Sequence, residues 1–182
     1  GASTSETFES DNDAAGSGKT PYTAAIFSNI TCVGPVQLDK TYNDLTSTQK
    51  GAFRRGARIR RNSAIDIRNS VFMDFQRGIF IDGTACEGNA TNGLILYKNN
   101  IVAGNSPGKV TERTSTSTFA IQAWFAAGMN DSIASTAGIL TTPYNYLTPD
   151  YRPGASSPLL SGADFTGLLG IKEVSAIAGV SL

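Results

Sequence analysis

The chain has 182 residues, no histidine, and 15 basic and 15 acidic side chains whose charges cancel. This is one domain's worth of material, and the balanced charge predicts neither a nucleic-acid partner nor attraction to an anionic membrane. Without histidine, Ser-His-Asp and Cys-His nucleophile systems are excluded within this sequence, and zinc sites lack their commonest ligand. No apolar run approaches the roughly 20 residues of a membrane-spanning helix.

The first twenty residues are polar. Asp11 and Asp13 have the spacing of the first ligands of a calcium loop, but no closing Glu follows at the required distance. Residues 16–20, Gly-Ser-Gly-Lys-Thr, match only the end of a phosphate-binding loop. We expect a solvated turn and no cofactor here, with weak calcium binding at Asp11 and Asp13 as the alternative.

Residues 24–35 read as a first pair of strands that a Gly-Pro dipeptide stops. Residues 36–49 are polar and irregular, which predicts an excursion carrying Tyr42 and Leu45. Cys32, in the strand pair, and Cys86 allow one disulfide at most. We expect two free thiols, with a bridge as the alternative.

Residues 53–83 contain several short β-patterns with almost no room between them. Polar and apolar residues alternate, as in strands with one buried and one wet face. The breaks are too short for crossover helices and lack the Asn-Gly or Asp-Gly pairs of tight hairpins. A chain that turns often without reversing predicts an all-β fold, a parallel β-helix solenoid of the pectate-lyase-like kind. The runs are residues 58–60, 65–68, 70–75 and 78–81.

Three segments align without gaps and share an asparagine, at spacings of 40 and 30 residues. They are residues 27–34, 67–74 and 97–104, with Asn29, Asn69 and Asn99 in common. Asparagine tolerates the left-handed backbone of a corner, and stacked amides can bond to one another. We therefore expect these three residues to form a structural ladder, in preference to a ligand-binding role.

The last third of the chain changes character. Residues 119–128 predict a short helix with a hydroxyl N-cap and a glycine stop, whose face with Trp124 packs onto the solenoid or covers its end. Spaced prolines in residues 143–182 predict extended chain along a surface. Residues 174–180 predict a final strand.

Three pieces of the sequence together resemble the C-terminal half of secreted right-handed β-helix proteins of Bacteroidetes-group bacteria. The resemblance covers about residues 8–165 and implies fold and location without a biochemical role. It implies a right-handed β-helix, a bacterial origin, a secreted or cell-surface location, and further N-terminal coils of a longer parent chain as a partner. The pieces are residues 8–13 with 27–35, residues 56–83, and residues 157–163.

On this interpretation, residues 1–182 are a single β-helix domain. Its coils occupy about residues 20–106, and the helix with the covering tail occupies about residues 107–182.

Arginines are concentrated in the central stretch. Alternation predicts that a group of charged residues points outward on one exterior sheet face: Arg58, Arg60, Asp66 and Arg68. A ladder of ion pairs between stacked coils is the favoured interpretation. The alternative is binding of a polyanion or acidic glycan by these residues. Lyase chemistry is disfavoured because no set of three carboxylates for calcium accompanies the arginines.

No catalytic residue is assigned. Asp66, Asp74 and Asp82 recur every eight residues, which predicts different faces and no pair for glycoside hydrolysis. The favoured function is a non-enzymatic glycan-binding or structural module, with polysaccharide as the expected partner. The alternative is a polysaccharide lyase or glycoside hydrolase whose groove includes further coils.

Overall fold

The computed structural model describes residues 6–35, 46 and 54–168. Within these residues the fold is mostly β. The strands are β1 (Phe8–Ser10), β2 (Ile26–Ser28), β3 (Thr31–Val33), β4 (Arg55–Arg60), β5 (Asp66–Arg68), β6 (Val71–Met73), β7 (Arg77–Asp82), β8 (Leu96–Lys98), β9 (Ile101–Ala103), β10 (Thr111–Arg113), β11 (Asp131–Ile133), β12 (Leu140–Thr142) and β13 (Asp150–Pro153). The helices are α1 (Thr84–Thr91), α2 (Ile121–Ala127) and a 3₁₀ turn (Pro158–Leu160).

Eleven strands form three parallel sheets, which β1 to β10 join in turn, and β11 then joins the third sheet directly after β10. The first sheet has the order β1-β4-β7-β10, the second β2-β5-β8, and the third β3-β6-β9-β11. Every pair within these sheets is parallel. The central stretch supplies β4 to β7, as its alternation predicts. Parallel strands occur from Phe8 to Ile133, a wider span than the residues 20–106 for which the sequence predicts coils.

Alternation places apolar side chains from all three sheets in a shared interior. Ile59 and Ile81 come from the first sheet, Ile67 from the second, and Phe72 and Val102 from the third, and all are fully buried in one cluster. Cys32 and Cys86 are buried free thiols, as expected. Burial raises the pKa of the Cys32 thiol to about 11, so it packs as a small apolar group.

Asn29, Asn69 and Asn99 follow β2, β5 and β8 directly, and all three have a left-handed backbone with φ of 59°, 51° and 54°. Their positions are equivalent because Ser28, Arg68 and Lys98 lie in register just before them. Their amides do not form the predicted stack. Asn69 Nδ2 donates to Ser28 Oγ at 3.2 Å and to Asp164 O at 3.1 Å.

Amide stacking occurs one residue later, on the inner side of the same corner. Asn100 Nδ2 donates to Ile67 O at 3.0 Å, and Asn100 Oδ1 accepts from Ser70 N at 3.0 Å. Asn130 Oδ1 in turn accepts from Asn100 N at 2.9 Å. A corner turns backbone N–H and C=O groups away from the sheet ladders, and these buried groups need partners. The inner residue therefore carries the ladder, and the outer asparagine supplies the left-handed turn.

α1 lies within residues 84–92, a stretch rich in Gly and Asn for which the sequence predicts a loop. Its sequence has few apolar residues, of which only Cys86 and Ala90 are buried. The periodicity of apolar residues therefore does not indicate a helix here. Asn89 on this helix donates to Ser63 O at 2.9 Å and ties it to the corner after β4.

α2 confirms the predicted helix and its packing. Ile121 and Phe125 are buried in the core, and Trp124 stacks on Tyr97 with ring centroids 6.4 Å apart. Gly128 O accepts from Asn99 N at 2.9 Å, so the end of α2 covers the exposed edge of β8. The predicted hydroxyl N-cap is wrong: the capping residue is Ala120, without a side-chain hydrogen bond.

The tail is extended chain with one short exception. β12 and β13 form an antiparallel pair, and the 3₁₀ turn interrupts the proline-rich stretch. Beyond it, the backbone of residues 162–166 lies along the corner asparagines, where Asn99 Nδ2 donates to Gly162 O at 3.2 Å. The predicted excursion at 36–49 lies outside the described residues apart from residue 46, and so does the predicted strand at 174–180.

We predict that Asn100→Ala lowers the free energy of unfolding by about 2–4 kcal/mol, because Ser70 N and Ile67 O lose their partner inside the core. Urea denaturation measures this change. Asn99→Gly is the matched control and should cost no more than about 1 kcal/mol, since glycine accepts the left-handed backbone. Equal losses in the two variants would contradict the inner ladder.

Candidate functional site

The outer face of the first sheet carries a network of ion pairs, here called the arginine–carboxylate face. Seven contacts join five arginines to five carboxylates, so the network is neutral at pH 7. Its members are Arg55, Arg58, Arg60, Arg61 and Arg77 with Glu6, Glu9, Asp11, Asp82 and Glu112.

Arg55 is the buried centre of this face. Its Nη1 donates to Glu6 Oε1 at 2.6 Å and its Nε donates to Glu112 Oε2 at 2.5 Å, with side-chain exposures of 5% for Arg55 and 3% for Glu6. The guanidinium also lies 4.7 Å from the centroid of the Phe80 ring. Burial alone would raise the pKa of Glu112, but the hydrogen bond from Arg55 and the nearby arginine charges lower it.

The remaining pairs on this face join neighbouring strands. Arg58 Nη2 lies 2.5 Å from Asp82 Oδ2, and Arg60 Nη1 lies 2.7 Å from Glu9 Oε1. Ion pairing between stacked strands is therefore present, as the sequence predicts. These side chains are about a quarter to a third exposed, so each pair contributes only about 0–1 kcal/mol.

The predicted grouping of four charged residues on one face is wrong. Arg58 and Arg60 lie in β4 of the first sheet, whereas Asp66 and Arg68 lie in β5 of the second. Arg68 Nη2 pairs with Asp66 Oδ2 of the same strand at 2.8 Å. Alternation identifies which residues point outward but does not say at which residue the chain turns from one sheet to the next.

The candidate calcium residues have other partners. Asp13 Oδ1 accepts from the backbone N–H groups of Ala15 and Ser17, and the hydrogen bonds from Ser17 lower the pKa of Asp13. Asp11 Oδ2 lies 3.0 Å from Arg61 Nη1. Among the residues described, no three His, Cys, Asp or Glu side chains lie close enough to hold a metal ion. The expected solvated turn is what the residues around Asp13 form.

A pocket of about 300 Å³ lies where β4 and β7 end. It opens between the Asp13 turn, the corner after β4 and the start of α1, so it combines segments far apart in sequence. Arg60, Arg61 and Asn62 line one side and Asp82 another, which gives the pocket both hydrogen-bond donors and acceptors. No sequence pattern indicates this pocket, because residues 84–92 predict a loop after β7 and not the helix that borders the pocket.

Asp66, Asp74 and Asp82 lie at three different sheets, as their spacing predicts. Asp74 is the buried one of the three. Thr136 Oγ1 donates to Asp74 Oδ1 at 3.1 Å, and the Tyr144 hydroxyl donates to Asp74 Oδ2. Burial raises the pKa of Asp74 to about 6, and the two hydroxyl hydrogen bonds offset this only in part.

No protein-family model, curated protein or solved structure matches this chain significantly. Neither α1 nor α2, nor any other helix among the described residues, has the length and apolar character that crossing a membrane requires.

We predict that Arg55→Met lowers the free energy of unfolding by about 3–5 kcal/mol, because it leaves the Glu6 carboxylate buried without its cation. The control is Arg58→Met, which removes a partly exposed pair and should cost about 1 kcal/mol or less. Urea denaturation of both variants measures the difference. Similar losses in the two variants would contradict the assignment of Arg55 as the buried centre.

We predict that the buried Asp74 carboxyl group makes the stability of the folded protein depend on pH. Its folded pKa of about 6 lies above the usual 3.8, so its contribution is complete below about pH 4 and is lost as the pH rises through 6. Between pH 5 and 8 we expect a fall of about 1–1.5 kcal/mol in the free energy of unfolding, and no histidine adds to it. Asp74→Asn should abolish this fall. Thermal denaturation across this range checks it, and an unchanged slope in the variant would refute the assignment.

Proposed function

We propose that this chain is a module of a secreted or cell-surface right-handed parallel β-helix that binds glycan without catalysis. The observation that carries the glycan site is the pocket at the ends of β4 and β7, with its adjacent donors and acceptors. The location and the bacterial origin rest on the sequence resemblance alone.

The order of the strands supports the β-helix. From β1 to β10, successive strands go to the first, second and third sheets in turn, and β4 to β10 each pair in parallel with the strand one circuit earlier. Connections between parallel strands of one sheet are right-handed in about 98% of proteins, which favours a right-handed winding. The short strands also suit a wall that turns a corner after every few residues.

The chemistry of the pocket supports a hydroxylated ligand. Sugar hydroxyls both donate and accept hydrogen bonds, and the pocket is lined by side chains of both kinds, Arg60 and Arg61 as donors and Asp82 as acceptor. Because the arginine–carboxylate face is neutral as a whole, it offers a long polyanion no extended attraction. A saccharide unit that enters the pocket fits this arrangement better than a polyanion lying across the sheet.

The alternative is a polysaccharide lyase or glycoside hydrolase. The raised pKa of Asp74 would suit a general acid. However, both Asp74 oxygens already accept hydroxyl hydrogen bonds from Thr136 and Tyr144, and a hydrolase needs a second carboxylate across a groove. These contacts favour a structural role for Asp74, and we rank binding ahead of catalysis.

The test is affinity electrophoresis through gels that contain neutral or acidic polysaccharides. We expect retardation by at least one polysaccharide, and Arg60→Ala and Arg61→Ala should each weaken it about tenfold, since each removes charged hydrogen bonds to the ligand. Arg152→Ala is the matched control, because Arg152 is exposed and pairs with Asp150 in the tail hairpin.

The same polysaccharides are assayed for reducing ends and for unsaturated uronates. Retardation without product supports the binding module. Product release that Arg58→Ala or Arg60→Ala abolishes would reverse the ranking in favour of the enzyme. Retardation that neither pocket variant alters would remove the pocket from the proposal.

A further inference from the structure

Arg54 differs from the arginines of the neutral face. It directly precedes β4, beside the first residue of β7, since Arg77 N donates to Arg54 O at 3.0 Å. Within the part of the chain that the structure describes, no carboxylate lies within ion-pair distance of its guanidinium, although Arg54 is partly buried. None of the described carboxylates therefore compensates its positive charge directly.

Among the described residues, the surroundings of Arg54 carry a surplus of one positive charge. Arg54, Arg55 and Arg77 all act electrostatically on Glu112, and Arg55 also pairs with Glu6. Three guanidinium groups thus share two carboxylates at this end of the sheet. The rest of the face is balanced, with Arg58, Arg60 and Arg61 opposite Glu9, Asp11 and Asp82. The surplus is local to the starts of β4 and β7.

Two guanidinium N–H groups at this place have no acceptor. Arg54 Nε and Arg77 Nε are both buried and make no hydrogen bond to the described residues, although Arg77 Nη1 pairs with Glu112. A buried N–H group without an acceptor is unfavourable, and more so when the group is charged. An incoming acceptor would therefore restore hydrogen bonding as well as balance the charge.

We propose that Arg54 and Arg77 form a binding site for one carboxylate or sulfate group. Planar guanidinium groups bind such oxyanions through paired N–H donors, and one negative charge cancels the local surplus. Arg54 lies six residues before Arg60 along β4, about 20 Å at the rise of a strand. This separation lets an oligosaccharide in the pocket extend along the sheet to place one acidic unit here, an assignment that rests on the proposed function.

The experiment is isothermal titration of the whole chain at low ionic strength with three probes: sodium sulfate, trigalacturonate, and a neutral trigalactoside. We expect sulfate and trigalacturonate to bind and the neutral trisaccharide to bind at least tenfold more weakly than trigalacturonate. Arg54→Gln should weaken binding of both anions at least tenfold. Arg152→Gln removes the same charge from a distant exposed pair and should leave both affinities unchanged.

Glu112→Gln and Arg54→Lys separate a binding role from a structural one. Removing the Glu112 charge enlarges the local surplus, so anion affinity should rise although an ion pair is lost. Arg54→Lys keeps the charge without the planar donors and should give an intermediate affinity. Circular dichroism confirms that each titrated variant is folded.

The outcomes separate this site from the proposed function. Sulfate binding that depends on Arg54, with no preference for trigalacturonate over the neutral trisaccharide, supports the anion site and overturns its link to glycan. Equal anion binding by the native chain and Arg54→Gln overturns the site itself, and so does a fall in affinity on Glu112→Gln. Loss of polysaccharide retardation in Arg60→Ala leaves the sulfate result unaffected.

Discussion

Hydrogen bonding between parallel strands in register determines where every other group in this molecule lies. β5 pairs residue for residue with β2 on one side and β8 on the other, so the corners after these strands repeat at the same place. Each repeat imposes two demands on the chain. The outer residue must accept a left-handed backbone, and the inner residue must bond the polar groups that the turn removes from the ladders. Asn69 with Ser70, and Asn99 with Asn100, divide these tasks.

The same register brings outward side chains of neighbouring strands about 5 Å apart, within reach of ion pairs. In the first sheet this spacing lets arginines on β4 and β7 find carboxylates on β1, β7 and β10. The consequence for energy depends on burial. Arg55 and Glu6 are enclosed, so separating them is costly, whereas Arg58 and Asp82 remain in contact with solvent. For ligand recognition, the consequence is that carboxylates of the same chain already compensate the charges of these arginines.

Sequence periodicity was sufficient for β4 to β7, for the helix packed through Ile121 and Phe125, and for the left-handed corners, because each depends on local spacing. It was insufficient wherever the partner lies far along the chain. Glu6 and Glu112 lie 49 and 57 residues from Arg55, and Tyr144 lies 70 residues from Asp74, so no local pattern links them. The sequence predicts the amide ladder at Asn69 and Asn99 because identical residues recur at this outer position. The inner position carries different side chains, Ser70 and Asn100, which nevertheless make equivalent hydrogen bonds.

Internal compensation also limits where a charged or hydroxylated ligand can be recognised on this sheet. Along the middle of the face, an arginine that binds a ligand must first leave a carboxylate, so affinity gained there is offset by an ion pair lost. The same cost applies to Arg60 and Arg61 at the pocket, which pair with Glu9 and Asp11, whereas Arg54 has no such partner among the described residues. Near Asp82 the chain turns into α1, and the pocket lies beside this turn. Near Arg54, three guanidinium groups share only two of the described carboxylates. The pocket and Arg54 lie at opposite ends of β4. The length of this strand therefore sets the distance between the two places where we propose that a ligand binds.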